Sequence, residues 1–352
     1  MGFWRSPLRS PRAGALLSAA VGALVYANAP GNGFAYDDVP VIEENAAIHE
    51  LSRLPESLGR PYWANPSGRE LGLWRPLTTA LFGFEWALWG DEPALFHAVN
   101  VAGHAAVSGL TVLLLATLVP VGAAFLGGLL FAVHPVHVEA VSNVVGVAEI
   151  ASALFYLGAC LLFVRWRRRV GPGRVAALGL LFALAFLTKE SAVTLPGALV
   201  LLDLWLDRSR ISDLPGYLKE RLGLLLTLTA VAAAILWARV GVLGSVANPY
   251  PPLGADILEE VPRIWTVAAV WPHYVRLLVF PLELSPDYSP AVLEILHGWN
   301  AANVLGVGLV LAVLGLAWVT WRADASDPER ERWGGSAALT LGILWFAVTI
   351  SP

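Results

Sequence analysis

The sequence predicts an all-α, polytopic bundle of transmembrane helices. Hydrophobic residues make up 57% of the 352-residue chain and charged residues only 14%, against roughly a quarter charged in a typical soluble domain. The mean hydropathy is +0.63, and the apolar residues are gathered in long runs. Backbone groups inside a bilayer must find their hydrogen bonds within the segment, so these runs are predicted to be helices and not strands.

About nine of the apolar runs are candidate membrane spans. The run at 262–280 differs, because Arg263, His273 and Arg276 interrupt it. Counting it as a crossing would also place the basic cluster Arg322–Arg332 outside the cytoplasm, against the bias of the other Lys and Arg residues. We therefore expect an interfacial or re-entrant helix there. The nine candidate spans are 13–29, 95–118, 123–133, 150–164, 175–187, 192–206, 222–242, 304–319 and 337–350.

The first apolar run also resembles a targeting signal. Basic residues precede it and it ends in Ala27-Asn28-Ala29, a pattern typical of a cleavable secretory signal. However, Pro30 follows directly, and the run is long enough to cross a bilayer. We therefore expect this helix to be retained.

The runs together predict a single transmembrane domain, residues 1–352, in which residues 31–93 form the first outer loop. Its orientation follows from the Lys and Arg residues, which collect in cytoplasmic loops. Most of the 23 basic residues fall on one side if the N-terminus is cytoplasmic, and this orientation places the first loop outside. The supporting clusters are Arg5, Arg9 and Arg12, then Arg165, Arg167, Arg168, Arg169 and Arg174, then Arg208, Arg210, Lys219 and Arg221, then Arg322, Arg330 and Arg332.

Composition also excludes some classes of function. The net charge is −4 and the basic clusters are short, so the chain lacks the electrostatic footprint of a nucleic-acid-binding protein. The single cysteine, Cys160, excludes an internal disulfide and a cysteine-based metal site. The chain ends at Ser351-Pro352 directly after an apolar run, which suggests a truncated or split gene product.

The acidic pair Asp37-Asp38 is the first candidate for chemistry. It follows the first span after only a small turn, so both carboxylates are expected close to the outer membrane surface. A carboxylate held there can accept a proton from a hydroxyl group if its surroundings tune its pKa. The alternative is an ordinary solvated acidic turn.

A second candidate is the segment His134-Pro135-Val136-His137-Val138-Glu139 at the end of the third span. If helical, His134 and His137 would share a face and could bind a divalent cation with Glu139. The proline argues against an unbroken helix. The other two interpretations are hydrogen bonding to a substrate and polar packing at the end of a helix. No cofactor is therefore assigned, and a divalent cation remains one of the alternatives.

Charged residues close to hydrocarbon form a third candidate group. Lys189-Glu190 lies between two apolar runs with almost no loop around it, and charges so placed usually have a partner or a function. One interpretation is a mutual Lys-Glu pair, and the other is an anionic headgroup or phosphate on Lys189. Arg75 and Arg276 are further outer cations, which could also extend their charges to lipid headgroups.

Three polar residues form a stripe on the second span. His97, Asn100 and His104 are spaced i, i+3 and i+7, so they share one face of a helix that is otherwise apolar. Such a face is expected to contact protein or a water-filled cavity. Hydrogen bonding between helices explains the stripe as well as a functional role does.

Taken in order, these segments resemble a known family, the transmembrane and tetratricopeptide-repeat-containing mannosyltransferases and their bacterial relatives. This family has the membrane glycosyltransferase fold called GT-C. The similar segments cover most of the chain. They are Gly33-Phe34-Ala35-Tyr36-Asp37-Asp38, Trp74-Arg75-Pro76-Leu77, Phe96-His97-Ala98-Val99-Asn100, His134-Pro135-Val136-His137-Val138-Glu139-Ala140, Lys189-Glu190-Ser191, Phe280-Pro281-Leu282 and Ser285-Pro286-Asp287-Tyr288.

The resemblance implies an inverting enzyme in a bacterial inner membrane, with its site facing the periplasm or exterior. Its partners would be a polyprenyl-phosphate sugar donor, with mannose as the sugar that the family's name suggests, a protein or glycan acceptor, and membrane lipid. Asp37 or Asp38 would be the general base, while Arg75, Lys189 and Arg276 would hold the leaving phosphate. The other expected substrate-binding residues are His97, His134, His137, Glu139 and Glu190.

The chain departs from this family in two places. The family commonly has a Gly-Arg-x-Glu segment after the histidine motif, whereas this chain has Gly146-Val147-Ala148-Glu149. Tetratricopeptide helices are also absent from the sequence. Two alternatives therefore remain, a non-catalytic membrane scaffold or transporter and a degenerate glycosyltransferase.

Overall fold

A computed structural model describes residues 10–63, 72–246, 264–285, 296, 298–325 and 335–350. Every regular element within these residues is helical, which confirms the all-α prediction. Short helical turns connect the longer helices. The longer helices are α1 (Pro11–Val25), α2 (Pro76–Trp89), α3 (Pro93–Leu115), α4 (Val121–Val133), α5 (Val147–Trp166), α6 (Pro172–Thr188), α7 (Leu195–Leu206), α8 (Leu214–Leu243), α9 (Ile264–Val279), α10 (Ala301–Ala325) and α11 (Gly335–Thr349).

Five helical segments of the described chain are long and apolar enough to cross a membrane, and a bent pair would make a sixth. The prediction of nine spans is therefore not confirmed. Some apolar helices, such as α6 with 17 residues, lie at the lower end of the range of about 17 to 25 residues that a transmembrane helix needs. The five segments are Pro11–Gly31, Pro93–Leu115, Val144–Trp166, Arg208–Leu243 and Ala301–Arg322, and the bent pair is Val121–Val133 with Pro135–Ser142.

The chain divides into two compact units. The first comprises Met1–His134, Ala140–Ala247 and Trp345–Pro352, and the second comprises Pro135–Glu139 and Asn248–Leu344. In the first unit, α1 packs against α3 and α4, and α3 also packs against α5. Gly128 allows α4 to approach Val112 of α3 so closely that a Cβ atom would collide with the valine. Small residues at such contacts are typical of helix packing in membranes.

The polar stripe on α3 faces protein, as expected. His97, Asn100 and His104 are 0%, 0% and 2% exposed. The Nε2 atom of His104 lies 3.0 Å from the carbonyl oxygen of Ala132 on α4, and the Tyr26 ring packs edge-on against the His104 imidazole. The end of the stripe near His104 therefore connects neighbouring helices.

A buried ion cluster connects the C-terminal ends of α5 and α7 to the start of α8. Asp203 on α7 is completely buried and accepts a hydrogen bond of 2.7 Å from Nε of Arg221. Arg167 and Arg210 approach the same carboxylate at 3.6 Å. A buried carboxylate needs such cations, because an unpaired charge is costly in a low dielectric.

The second unit is built around α9 and α10, which pack against each other. The backbone N–H of Leu296 donates to the Thr266 hydroxyl at 3.0 Å. Thr320 on α10 shares a 2.6 Å hydrogen bond with Thr340 on α11. Helix α9 has 16 residues, and the interfacial or re-entrant helix expected at 262–280 stays a prediction.

Candidate functional site

The acidic pair lies on a strained turn that follows α1. A short turn, Ala29–Gly31, follows α1, and a π-helical turn, Val39–Glu43, follows the pair. Between them, Tyr36 has a φ of 50°, which residues other than glycine rarely adopt. Such strain persists only where surrounding structure holds it. After this turn the two neighbouring carboxylates have opposite environments.

Asp38 points into the protein. It is 0% exposed, and its carboxylate accepts backbone hydrogen bonds from Val145 at 2.8 Å, Ala35 at 3.1 Å and Val144 at 3.4 Å. Burial raises the pKa of Asp38, although these hydrogen bonds and the nearby His97 act in the opposite direction. Asp38 therefore connects the acidic turn to the 144–145 backbone, with no exposed surface for a substrate.

A single turn supplies two of these donors. Asn100 on α3 holds the turn, because its side-chain amide donates to the carbonyl oxygens of Asn143 at 2.8 Å and Val144 at 3.2 Å. Gly146 closes the turn against the Ala140 backbone, and a Cβ atom there would collide with the Ala140 carbonyl. Residues 143–146 thus support the acidic turn.

Gly146→Ala should therefore destabilise the protein. The added methyl group must displace the Ala140 backbone, and overpacking of this kind costs about 1–3 kcal/mol. Thermal unfolding of the protein in nanodiscs measures the effect. Gly158→Ala on α5 is the matched control, because its new Cβ meets open space and alanine favours a helix. An unfolding temperature of Gly146→Ala equal to the wild-type value would contradict this account of the turn.

Asp37, in contrast, is exposed. Neighbouring protein atoms displace part of its water and raise the pKa of Asp37, while the positive charge of Arg75 acts in the opposite direction. The charge of Asp37 also acts on the Tyr62 hydroxyl. The exposed member of the pair therefore lies within the electrostatic reach of a cation from the start of α2.

Arg75 binds Glu190 in a bidentate ion pair. Its Nε atom donates to Oε2 at 2.9 Å and its Nη2 atom to Oε1 at 2.6 Å. Burial alone would raise the pKa of Glu190, but the hydrogen bonds and charge of Arg75 outweigh it and lower the pKa to about 2. The guanidinium carbon also lies 5.2 Å from the centre of the Tyr62 ring, a cation–π distance.

Lys189 does not use Glu190 as its main partner. It forms an ion pair with Glu149 in the first turn of α5, so the mutual Lys189–Glu190 pair considered from the sequence is replaced by two longer-range pairs. The Thr78 hydroxyl of α2 donates to the carbonyl oxygen of Thr188 at 2.8 Å. The start of α2, the end of α6 and the start of α5 therefore meet at one site.

Arg239 is a third cation at this site, and the sequence interpretation missed it. It lies near the end of α8 and donates from Nη2 to the Gly72 carbonyl oxygen at 2.5 Å. The charges of Glu190 and Arg75 both act on it. A charge inside the apolar run 222–242 was the signal that could have revealed it.

The remaining predicted site residues occupy other positions. His97 is buried, with its Nε2 atom 3.3 Å from the Gly33 carbonyl oxygen at the start of the acidic turn. The backbone oxygen of His134 accepts a hydrogen bond from the Tyr26 hydroxyl at 3.4 Å. His137, Glu139 and Arg276 fall in the second unit, and Arg276 donates there to the Glu283 carbonyl oxygen at 3.0 Å.

The described residues contain no group of three His, Cys, Asp or Glu side chains placed to bind a metal ion. The metal interpretation of His134, His137 and Glu139 therefore gains no support. Other sequence expectations lie outside the described residues. These are the basic residues Arg5, Arg9, Arg330 and Arg332, and the part of the last motif at Pro286, Asp287 and Tyr288.

In the first unit, the exposed carboxylate of Asp37 thus lies within the electrostatic reach of Arg75, and the charge of Glu190 interacts with Arg75, Lys189 and Arg239. Such a site can accept a proton from a hydroxyl group while nearby cations stabilise an anion. Fold and site together define an integral membrane protein, helical throughout its described elements, with this charged site at the ends of its helices.

Comparison with curated proteins identifies the family. Protein O-mannosyl-transferase Tmtc2 of Drosophila melanogaster is 30% identical over 315 residues, which are 85% of this chain and 33% of that protein. Protein O-mannosyl-transferase TMTC2 of Mus musculus is 30% identical over 349 residues, 93% of this chain and 41% of that protein. Protein O-mannosyl-transferase TMTC3 of Homo sapiens is 34% identical over 173 residues, 47% of this chain and 19% of that protein.

The chain therefore belongs to the TMTC-like family, as the motifs predicted. It spans about a third to two fifths of the length of the curated relatives that it matches over most of its own length. No family model and no solved structure matches it.

Proposed function

We propose that this protein is a membrane glycosyltransferase that moves a mannosyl group from a polyprenyl-phosphate donor to a hydroxyl group of a protein or glycan acceptor. The observation that supports this function is the exposed Asp37 within the electrostatic reach of Arg75, whose ion-pair partner Glu190 also interacts with the cations Lys189 and Arg239. The relatives' names, protein O-mannosyl-transferases, supply the sugar and the protein acceptor. The proposal retains the outward-facing orientation and the nine-span arrangement expected from the sequence.

In this mechanism Asp37 is the general base. As the acceptor oxygen attacks the anomeric carbon, Asp37 takes the hydroxyl proton, and the bond between the anomeric carbon and the phosphate oxygen breaks. The polyprenyl phosphate leaves with the bonding electron pair, and attack from the opposite face inverts the anomeric centre. Partial displacement of water favours this role, because it raises the pKa of Asp37 and makes the carboxylate a stronger proton acceptor.

The leaving phosphate requires positive charge. Arg75 has five N–H donors, and Glu190 engages two of its nitrogens, so further donors remain for a phosphate. Lys189 has three N–H donors, and Arg239 adds a third positive charge close by. Arg276 keeps its expected phosphate-binding role as a proposal from the sequence alone.

The buried residues around Asp38 have supporting roles in this mechanism. His97 contacts the Gly33 carbonyl oxygen at the start of the acidic turn, and Asp38 connects this turn to the Val145 backbone. Asn100 holds the 143–146 turn. Val147, which replaces the basic residue common in the family, is 2% exposed and packs in an apolar core. Glu149 is retained and binds Lys189, so the loss of that basic residue leaves the site's ion pairs in place.

The test is a transfer assay with the purified full chain in nanodiscs. Polyprenyl-phosphate mannose carrying a labelled sugar is the donor, and a peptide rich in serine and threonine is the acceptor. We expect label in the peptide, with the linkage inverted relative to the donor, and release of polyprenyl phosphate. Transfer from nucleotide-linked mannose without the lipid donor would contradict the proposed donor. Absence of transfer to peptide and glycan acceptors alike would favour a scaffold or a degenerate enzyme.

A further inference from the structure

Tyr62 is a buried aromatic residue with a fixed position next to the charged site. Its side chain is 4% exposed and packs in an apolar core with Phe82 and Phe96. Its backbone N–H donates to the Leu73 carbonyl oxygen at 2.8 Å, two residues before Arg75. Core packing and this hydrogen bond therefore fix both the ring and the backbone.

The hydroxyl group of Tyr62 is buried. Arg75 is placed to donate toward its oxygen, but the hydroxyl proton has no acceptor among the residues that the structure describes. The charges of Arg75, Glu149 and Asp37 all act on it, and these residues belong to the candidate site. The hydroxyl end of the side chain thus faces the charged site, while the ring faces the core. A buried O–H donor without an acceptor is unfavourable, so this proton is expected to find its acceptor in a bound molecule.

The surroundings identify the chemistry of that molecule. Arg75 lies over the ring with its guanidinium carbon 5.2 Å from the ring centre, and a guanidinium group is a donor only. Burial raises the pKa of Tyr62, so the hydroxyl keeps its proton and is a donor as well. Two neighbouring donors, one of them cationic, match the oxygens of a phosphoryl group.

We propose that the Tyr62 hydroxyl donates a hydrogen bond to a phosphoryl oxygen of the lipid-phosphate donor held beside Arg75. The inference rests on the proposed function and assigns Tyr62 as a binding residue for the phosphate of that donor. The hydroxyl contacts the same phosphate before and after transfer, so it also binds the product, a polyprenyl monophosphate.

The experiment measures binding of polyprenyl monophosphate to the full chain in nanodiscs, with inorganic phosphate as a second probe. Tyr62→Phe removes only the hydroxyl group. We expect binding of polyprenyl monophosphate to weaken about 10- to 150-fold, as for one lost hydrogen bond to a charged group. The unfolding temperature without ligand should change little, because the hydroxyl proton that is removed has no acceptor in the ligand-free protein.

Tyr156→Phe on α5 is the matched control. Its hydroxyl is also buried but pairs with Thr194 Oγ1 at 3.2 Å, so the variant should bind the lipid phosphate as the wild type does. An equal loss for inorganic phosphate in Tyr62→Phe supports the inference, because the phosphoryl group is common to both probes. Binding by Tyr62→Phe at wild-type strength would overturn it.

Two further results separate this inference from the proposed function. If wild-type protein does not bind polyprenyl monophosphate, the proposed donor fails and the role of Tyr62 fails with it. If Asp37→Asn abolishes transfer while Tyr62→Phe binds at wild-type strength, only the role of Tyr62 is overturned.

Discussion

Replacing Asp37 by Asn is expected to lower sugar transfer by about 10²- to 10⁴-fold, the range that general-base catalysis contributes. Asn is nearly the same size but cannot take the proton from the acceptor hydroxyl. The side chain is exposed, so the unfolding temperature should stay at the wild-type value. Donor binding should change little, and the loss should appear in kcat.

The control is Asp91→Asn, an exposed carboxylate just after α2, which should leave transfer and unfolding unchanged. The pH profile provides a second measurement, because the acid limb of wild-type kcat should report the ionisation of Asp37 at a pH above that of an ordinary aspartate. Full activity in Asp37→Asn would remove this residue as the base.

Asp38→Ala should produce the largest loss of stability. Three backbone N–H groups, those of Ala35, Val144 and Val145, would lose the buried carboxylate that accepts from them, and only the exposed Ala35 can readily bond to water instead. An unsatisfied buried group costs about 1–3 kcal/mol, so the loss at Val144 and Val145 should lower the stability by at least about 2 kcal/mol. Thermal unfolding in nanodiscs measures this loss, and transfer should fall along with the folded fraction.

Asp38→Asn should be intermediate, because its amide oxygen can still accept one or two of these hydrogen bonds while its NH₂ group cannot. The informative comparison is between the two acidic positions. We expect Asp37→Asn to lose transfer at wild-type stability and Asp38→Ala to lose stability. The reverse result, a stable and inactive Asp38→Asn with an active Asp37→Asn, would make Asp38 the base.

The position of the two acidic residues could be predicted from the sequence, but their environments could not. Their position after the first span was evident from local pattern, and so was their expected chemistry. Their opposite environments were not, because Asp38 is buried by the 144–145 backbone, more than 100 residues away in the chain. A dipeptide carries no information about which of its side chains a distant turn will cover.

The ion pairs of the site cations also depend on contacts between distant parts of the chain. Sequence position suggested that Lys189 and Glu190 pair with each other, but the structure pairs them with Glu149 and Arg75. Arg239, inside an apolar run, was not predicted as a site residue, although it interacts with both members of the Arg75–Glu190 pair. Adjacent side chains often point in different directions, and ion pairs form between the groups that folding brings within a few ångströms.

The sequence by itself determined the all-α membrane class, the family and the segments that could carry chemistry, because hydrophobicity and motif order are local properties that need no contacts. The number of spans was not determined, since an apolar run shorter than about 17 residues can be a buried core helix or an interfacial segment as well as a span. Only the tertiary structure decided which carboxylate faces outward, which ion pairs surround it and that Tyr62 lies beside them. These features depend on distances between parts of the chain as far apart as Arg75 and Glu190, 115 residues in sequence, which packing alone establishes.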